Sequence, residues 1–426
     1  MDASPALKKR YDLLDGLRGV AALMVIVYHC FECFPADTWI IGHGYLAVDF
    51  FFILSGFVVG YAYEDRWRGA SKGQGMSIGG FFKRRLIRLH PMVVFGVVLG
   101  LVTFLIGGGI SWSGEKAAVS AIMTAVLLHL FMIPEWPGAS SDVRGNAEMF
   151  PLNGPHWSLF FEYIGNVIYA LVLRKLPTRA LAIVTSVLAV CFSAFAISDV
   201  VGYGNIGIGW TLDGWNFWGG LLRMLVPFSM GLLLCRLMNG DAKQRQDSDY
   251  KPVLKPANLR GAFWICSLLI IVFLAMPSLG GGKVWINCLY EVACVLLVFP
   301  AVVWIGASGA TSDRTSTEAQ GPTSDSISTE AQGPTSNSIS TEAHGAANST
   351  ISSGICKFLG EISYPLYAVH YPTMYLFYAY IGFPETWRTP GECWLWMVAL
   401  VAGNIILAFL ALKLYDEPVR RWLSTK

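Results

Sequence analysis

The sequence predicts an all-α, polytopic integral membrane protein with about ten transmembrane helices and one further interfacial or re-entrant helix. Three observations predict it. Of 426 residues, 54% are hydrophobic and only 14% charged, with a mean hydropathy of +0.50, which is too apolar for a soluble chain of this length. Apolar windows near the roughly 20 residues that cross a bilayer fall at about 14–34, 45–63, 90–109, 157–174, 180–198, 216–237, 261–279, 284–306, 357–380 and 394–414. Lysines and arginines cluster beside these windows rather than forming a nucleic-acid face. With a net charge of only +2, their placement matters more than their sum.

In chain order, the opening segment MDASPALKKRYDLLDG is polar and lacks a small-residue cleavage site, so no signal peptide is expected and the first span serves as its own insertion signal. The window 118–133 is shorter and contains His129. The positive-inside rule decides how to count it. With Lys8, Lys9 and Arg10 inside, Arg66, Arg68, Lys83, Arg84, Arg85 and Arg88 also fall inside. The clusters at Arg174, Lys175 and Arg179, at Arg236, Lys243, Arg245, Lys251 and Lys255, and at Arg420, Arg421 and Lys426 join them only if 118–133 does not cross. Ten spans with both termini cytoplasmic follow. Residues 311–349 repeat STEAQGPTSDSI-like units with a period of twelve, rich in Ser, Thr, Gly and Pro. Such a segment cannot bury enough apolar surface to offset its ordering entropy. The expected organisation is a membrane core over 1–306, a disordered cytoplasmic loop over 307–355, and the last two spans with a cytoplasmic tail over 356–426.

The ionisable residues Arg18 and His29 share one apolar stretch, LRGVAALMVIVYHC. Arg18 and His29 are eleven residues apart, close to three helical turns, so both side chains lie on one face roughly 16 Å apart. Such residues at bilayer depth are costly unless paired or facing water, and they mark function by default. On this topology Arg18 lies near the cytoplasmic end and His29 in the outer part. Asp49 starts the second span near the depth of His29, and NGPHWSLFFEY carries His156, Ser158 and Glu162 into the fourth. His29, Asp49, His156 and Glu162 are therefore expected to converge on one cavity in the outer half of the bilayer. A histidine with a carboxylate to fix its tautomer is the usual form of a general base.

Five segments in order resemble the motifs of the membrane acyltransferase-3 family, whose members include O-antigen acetylases, nodulation-factor acetylases and glucan succinylation proteins. LDGLRGVAALMVIVYH is similar to its first-span signature, with Arg18 and His29 on the Arg-x10-His pattern. AVDFFFILSGF resembles GVDxFFxxSGF, carried by Asp49, Phe51, Phe52, Ser55, Gly56 and Phe57. FFKRRLIRLHP resembles the basic segment before the third span, with Arg85 and Arg88 on Arg-x-x-Arg. WSLFFEYIGN resembles WSLxxExxxY through Trp157, Ser158, Leu159 and Glu162, and GEISYPLYAVHYP resembles GxxSYxLYLxHxP through Ser363, Tyr364, Tyr367 and His370. Departures are Ala47 in place of Gly, the absence of a second acidic residue after Glu162, and the 311–349 repeat.

The resemblance implies transfer of an acetyl or succinyl group from cytoplasmic acyl-CoA to a hydroxyl of an extracytoplasmic carbohydrate or glycolipid, in a bacterial inner membrane. His29 would take the hydroxyl proton or briefly carry the acyl group, with Asp49 or Glu162 orienting it and Arg18 meeting the donor's polar arm. Ser55, His156, Trp157, Ser158, Tyr364 and His370 would contact substrate. Arg84, Arg85 and Arg88 would hold the CoA phosphates, although anionic lipid would place arginines there as well. His43, His90 and His129 read as interfacial. The partners implied are membrane lipid, acyl-CoA and the acceptor, with no permanently bound cofactor, no metal and no nucleic acid; oligomeric state is not legible. A transporter or flippase using Arg18, His29 and Asp49 is the alternative. Inverted repeats would favour it, and none is visible. A glycosyltransferase would want an acidic catalytic loop, and the outer loops are short. Nine scattered cysteines, an odd number, argue against a disulfide framework; Cys30-x-x-Cys33 beside His29 reads as two small apolar side chains. Walker, dinucleotide and Gly-x-Ser-x-Gly motifs are absent from the sequence.

Overall fold

A computed structural model of the chain describes residues 11–67, 75–240, 252–255, 257, 259, 261–308, 336–382 and 388–425. The helices are α1 (Asp12–Phe31), α2 (Ala47–Trp67), α3 (Ile78–Ile106), α4 (Val119–Leu130), α5 (His156–Leu171), α6 (Thr178–Ile197), α7 (Gly214–Asn239), α8 (Ala262–Ala275), α9 (Val284–Ala293), α10 (Phe299–Ser308), α11 (Ser336–Phe377), α12 (Pro390–Ala411) and α13 (Glu417–Thr425). A π-helical turn joins α9 to α10, and another joins α12 to α13. Each of the ten apolar windows holds a helix. Among the described residues, seven continuous helical stretches are long and apolar enough to cross a membrane: α1, α2, α3, α6, α7, α9 with α10, and α12 with α13. The remaining three windows hold α5, of 16 residues, α8, of 14, and the C-terminal part of α11. The basic cluster at Lys8–Arg10 and most of the 311–349 repeat lie outside the described residues. The loop expected over 307–355 is interrupted where α11 starts at Ser336, two residues after the last proline of the repeat, because no further proline stands in the way before Pro365.

Two parallel helix pairs form the frame, and glycine permits both. α1 packs along α11. A Cβ on Gly16 would stand 2.9 Å from Cys356 Cα, and one on Gly19 would stand 2.7 Å from the Leu359 carbonyl carbon. Only hydrogen fits at these crossings, which lets the backbones approach as in membrane helix pairs built on small residues. α2 packs along α7 in the same way: Gly56 abuts the Phe228 carbonyl and Gly231 abuts that of Ile53. Both ends of this pair are pinned by buried ion pairs, Asp49 with Arg223 and Glu64 with Arg236, each at 2.6 Å.

α4 does not reverse the path. It begins beside the end of α3, where the Ala117 amide donates to the Gly109 carbonyl at 2.9 Å, and its 12 residues reach only about 18 Å. The segment after it leads into α5 part-way down α3: a Cβ on Gly96 would lie 2.9 Å from His156 Cε1, about 15 Å below the end of α3. The 118–133 window is thus the first limb of a re-entrant segment, and α5 completes the crossing from mid-depth. Irregular backbone at such depth is tolerated because protein surrounds it.

Candidate active site

Two cavities open from opposite ends of the helix bundle. One, of about 740 Å³, opens at the end where α2 finishes and α3 begins, and Arg18, Arg66, Arg85, Arg88 and Arg420 line it. The other, of about 1010 Å³, is lined by His29, Glu32, Glu148, Arg223 and a ring of aromatic side chains that includes Tyr28, Trp39, Trp157 and Tyr371. We call them the basic and the aromatic cavity.

α1 places Arg18 in the first and His29 in the second, both on the face that meets α11. Arg18 donates from Nε to Ser363 Oγ at 2.7 Å and from Nη2 to the Gly360 carbonyl at 2.9 Å, and it pairs with Asp15 at 3.3 Å. His29 donates from Nδ1 to Glu32 Oε2 at 2.5 Å. Tyr378 Oη shares its one proton between the His29 carbonyl at 2.5 Å and the same carboxylate oxygen at 3.1 Å. The imidazole stacks on His370 at 5.3 Å between centroids and meets the edge of Tyr371 at 4.7 Å. With Nδ1 committed to a carboxylate, Nε2 is left as the basic nitrogen on a cavity wall.

The expected convergence of four residues on one cavity does not occur. Asp49 is fully buried and accepts from Arg223 at 2.6 and 3.2 Å; it faces α7 rather than His29. His156 is buried off both cavities. Asn153, whose amide nitrogen is fixed by the Ala368 carbonyl at 2.8 Å, donates to its Nε2 at 3.0 Å, so its Nδ1 donates to His129 Nε2 at 2.8 Å. Glu162 lines the basic cavity, where it accepts from Arg85 at 2.6 Å and Ser55 at 2.8 Å. Glu32, not Asp49 or Glu162, orients His29. The remaining candidates divide between the cavities. Trp157 lines the aromatic cavity, its ring 5.2 Å from the Arg223 guanidinium. Ser158 and Tyr364 line the basic cavity, the first bonded to Tyr367 Oη at 2.7 Å, the second donating to the Leu89 carbonyl at 2.6 Å. His370 is buried behind His29 and donates from Nδ1 to the Tyr367 carbonyl at 2.8 Å. Arg84 is exposed and lines neither cavity. His43 and His129, expected at the interface, are completely buried. Cys30 and Cys33 are free thiols.

Sequence reasoning missed Glu32, Arg223 and Glu148. Glu32 stands three residues after His29, the spacing of neighbours on a helix face. Arg223 is an arginine inside an apolar window, the same signal that picked out Arg18. Glu148, on the segment between α4 and α5, is buried on the wall of the aromatic cavity and accepts from Tyr375 Oη.

Residues 11–413 match the acyltransferase domain family. The chain belongs to the acyltransferase-3 family. It is a membrane-bound O-acyltransferase. Among curated proteins it is 34% identical over 177 residues to Protein 2 in picA locus of Rhizobium radiobacter, a match that takes in 40% of this chain and 85% of that protein. It is 30% identical over 185 residues to acyltransferase MdmB of Streptomyces mycarofaciens, covering 40% of this chain and 42% of the relative. No solved structure shows a significant match.

Proposed function

We propose that this acyltransferase moves an acetyl group from cytoplasmic acyl-CoA, held in the basic cavity, to a hydroxyl of a carbohydrate or glycolipid in the aromatic cavity. The observation that carries the reading is His29 on the wall of the aromatic cavity with Nδ1 bound to Glu32 and, among the described residues, no hydrogen-bond partner on Nε2. Nε2 takes the proton of the acceptor hydroxyl as its oxygen attacks the thioester carbonyl. The carbon–sulfur bond breaks, and the proton passes from Nε2 to the departing thiolate, so that ester and free CoA result. Glu32 stabilises the imidazolium that forms between these steps.

Five arginines on the basic cavity suit the phosphates of CoA, since guanidinium forks match phosphate geometry. Arg66 and Arg88 carry most weight, because among the described residues neither has an ion-pair partner within 4.0 Å, whereas Arg18, Arg85 and Arg420 are held by Asp15, Glu162 and Asp416. Arg66 and Arg420 extend the set named from sequence. On the positive-inside rule the basic end is cytoplasmic, with both termini there, in a bacterial inner membrane. Aromatic faces suit the apolar faces of sugar rings, and a concave apolar site with few polar groups is the usual form of a small-molecule pocket.

The test is mass spectrometry of the surface polysaccharide and glycolipid fraction from cells expressing wild type or His29→Ala at matched levels. An ester-sized mass difference is expected with wild type alone, the variant losing about 10²–10⁴ of the rate that general-base catalysis supplies. Identical spectra from the two strains would sink the proposal.

A further inference from the structure

The basic and aromatic cavities approach each other in the middle of the bundle, and among the described residues only Val48 and Tyr367 line both. Along α2 the basic cavity follows Val48, Phe51, Phe52, Ser55, Val58 and Ala62, a stripe at helical spacing, so it forms a slot about 21 Å long that ends at Val48. Tyr367 closes the slot from α11. Its hydroxyl is bonded to Ser158 Oγ at 2.7 Å and donates to the Pro155 carbonyl at 3.2 Å, and its ring meets the edge of Phe51 at 5.6 Å. Both side chains are buried, at 7% and 6% exposure. Tyr367 is therefore fixed from two directions, and the width of the neck rests on the side chain at position 48.

We propose that Val48 and Tyr367 form the filter that selects the acyl group, admitting acetyl and rejecting longer or charged chains. This rests on the reading that the donor occupies the basic cavity, because the acyl carbon must then pass this neck to come within reach of His29. A butyryl chain brings two further methylenes against the isopropyl group of Val48. A succinyl chain brings a carboxylate, which would lose its water between Val48, Tyr367 and Phe51, while the nearby Arg223 guanidinium is already committed to Asp49 and to the Ile208 and Tyr45 carbonyls. Arg18 and Arg85 line the slot part-way along it, at the level of Ser363 and Ser55, and each is already paired, with Asp15 at 3.3 Å and Glu162 at 2.6 Å. Hydrophobic fit discriminates by about ten-fold or more per methylene, so one side chain is sufficient to set the preference.

Inverted membrane vesicles from cells that carry the acceptor, given equal acetyl-CoA and butyryl-CoA, provide the test, with the two esters on vesicle glycolipid and polysaccharide counted by mass spectrometry. Wild type is expected to form acetyl esters in excess. Val48→Ala is expected to raise the butyryl-to-acetyl ratio by about ten-fold, and Val48→Phe to remove both esters. An unchanged ratio in an active Val48→Ala protein overturns the filter and leaves the proposed function standing, as does a wild type that forms both esters equally. Wild-type vesicles that form neither ester overturn the proposed function, and the filter with it.

Discussion

Glu32 decides which nitrogen of His29 faces the aromatic cavity, since its carboxylate holds Nδ1 at 2.5 Å while Tyr378 fixes the carboxylate from the other side. Glu32→Gln keeps an acceptor oxygen but removes the charge that stabilises the imidazolium. We expect it to lower kcat by about 10²-fold, the lower end of general-base contributions, with KM for acetyl-CoA unchanged because the arginines lie on the other cavity. Glu32→Asp is expected to restore part of the loss. Turnover by Glu32→Gln equal to wild type would remove Glu32 from the mechanism. The histidine was legible in the sequence because an ionisable side chain inside an apolar run is costly to bury and so stands out. Its carboxylate partner was not, because Glu32 falls where the apolar run ends, and a charged residue at a span's edge is ordinary. Only the three-residue spacing from His29 marked it.

At the level of the helices, every apolar window was legible, because a bilayer demands length and apolarity together. Depth was not. Placing Glu162 in the outer half assumed that each span starts at a membrane surface, whereas α5 starts beside Gly96, midway along α3, so Glu162 falls into the basic cavity instead. Asp49 was placed at the right end of α2 but on the wrong face. Val48 and Ser55 line the slot, whereas Asp49, one residue and about 100° round the helix from Val48, turns to α7. Its pairing with Arg223 is completed by the Ile208 carbonyl, which accepts at 2.6 Å, and the Tyr45 carbonyl, at 3.2 Å. The pair therefore joins α2 and α7 to the loops that wall the aromatic cavity. Asp49→Ala leaves a buried guanidinium without its counter-ion and is expected to cost about 3–5 kcal/mol. The double variant Asp49→Leu with Arg223→Met, which removes both charges, is expected to recover most of that. Thermal unfolding of the purified variants in detergent measures both, and a double variant no more stable than the single would show that the pair matters through Arg223's carbonyl contacts instead.

Across the whole molecule, the two parallel pairs constrain the path of the chain. The contacts between α2 and α7 advance together, from Asp49 with Arg223 through Gly56 with Phe228 to Glu64 with Arg236. An odd number of crossings must then separate these helices, and α3, α5 and α6 supply three. A crossing by α4 would make α7 antiparallel to α2 and break both ion pairs. The distribution of lysine and arginine led to the same choice from sequence alone, because charge placement and helix pairing answer to one topology. The consequence is testable by labelling single cysteines, in a background lacking the nine natural ones, with a membrane-impermeant maleimide. Ser113 precedes α4 and Ser140 follows it, both exposed, while Ser77 is exposed at the start of α3. Cysteines at 113 and 140 are expected to react in intact cells, although an apolar helix lies between them, and a cysteine at 77 only after the membrane is permeabilised. Reaction at 140 that follows 77 instead of 113 would mean that α4 crosses, and the parallel pairing with it would fail. Reaction at 77 in intact cells would turn the basic cavity away from the cytoplasm, and acyl-CoA with its phosphates would no longer be able to reach those arginines.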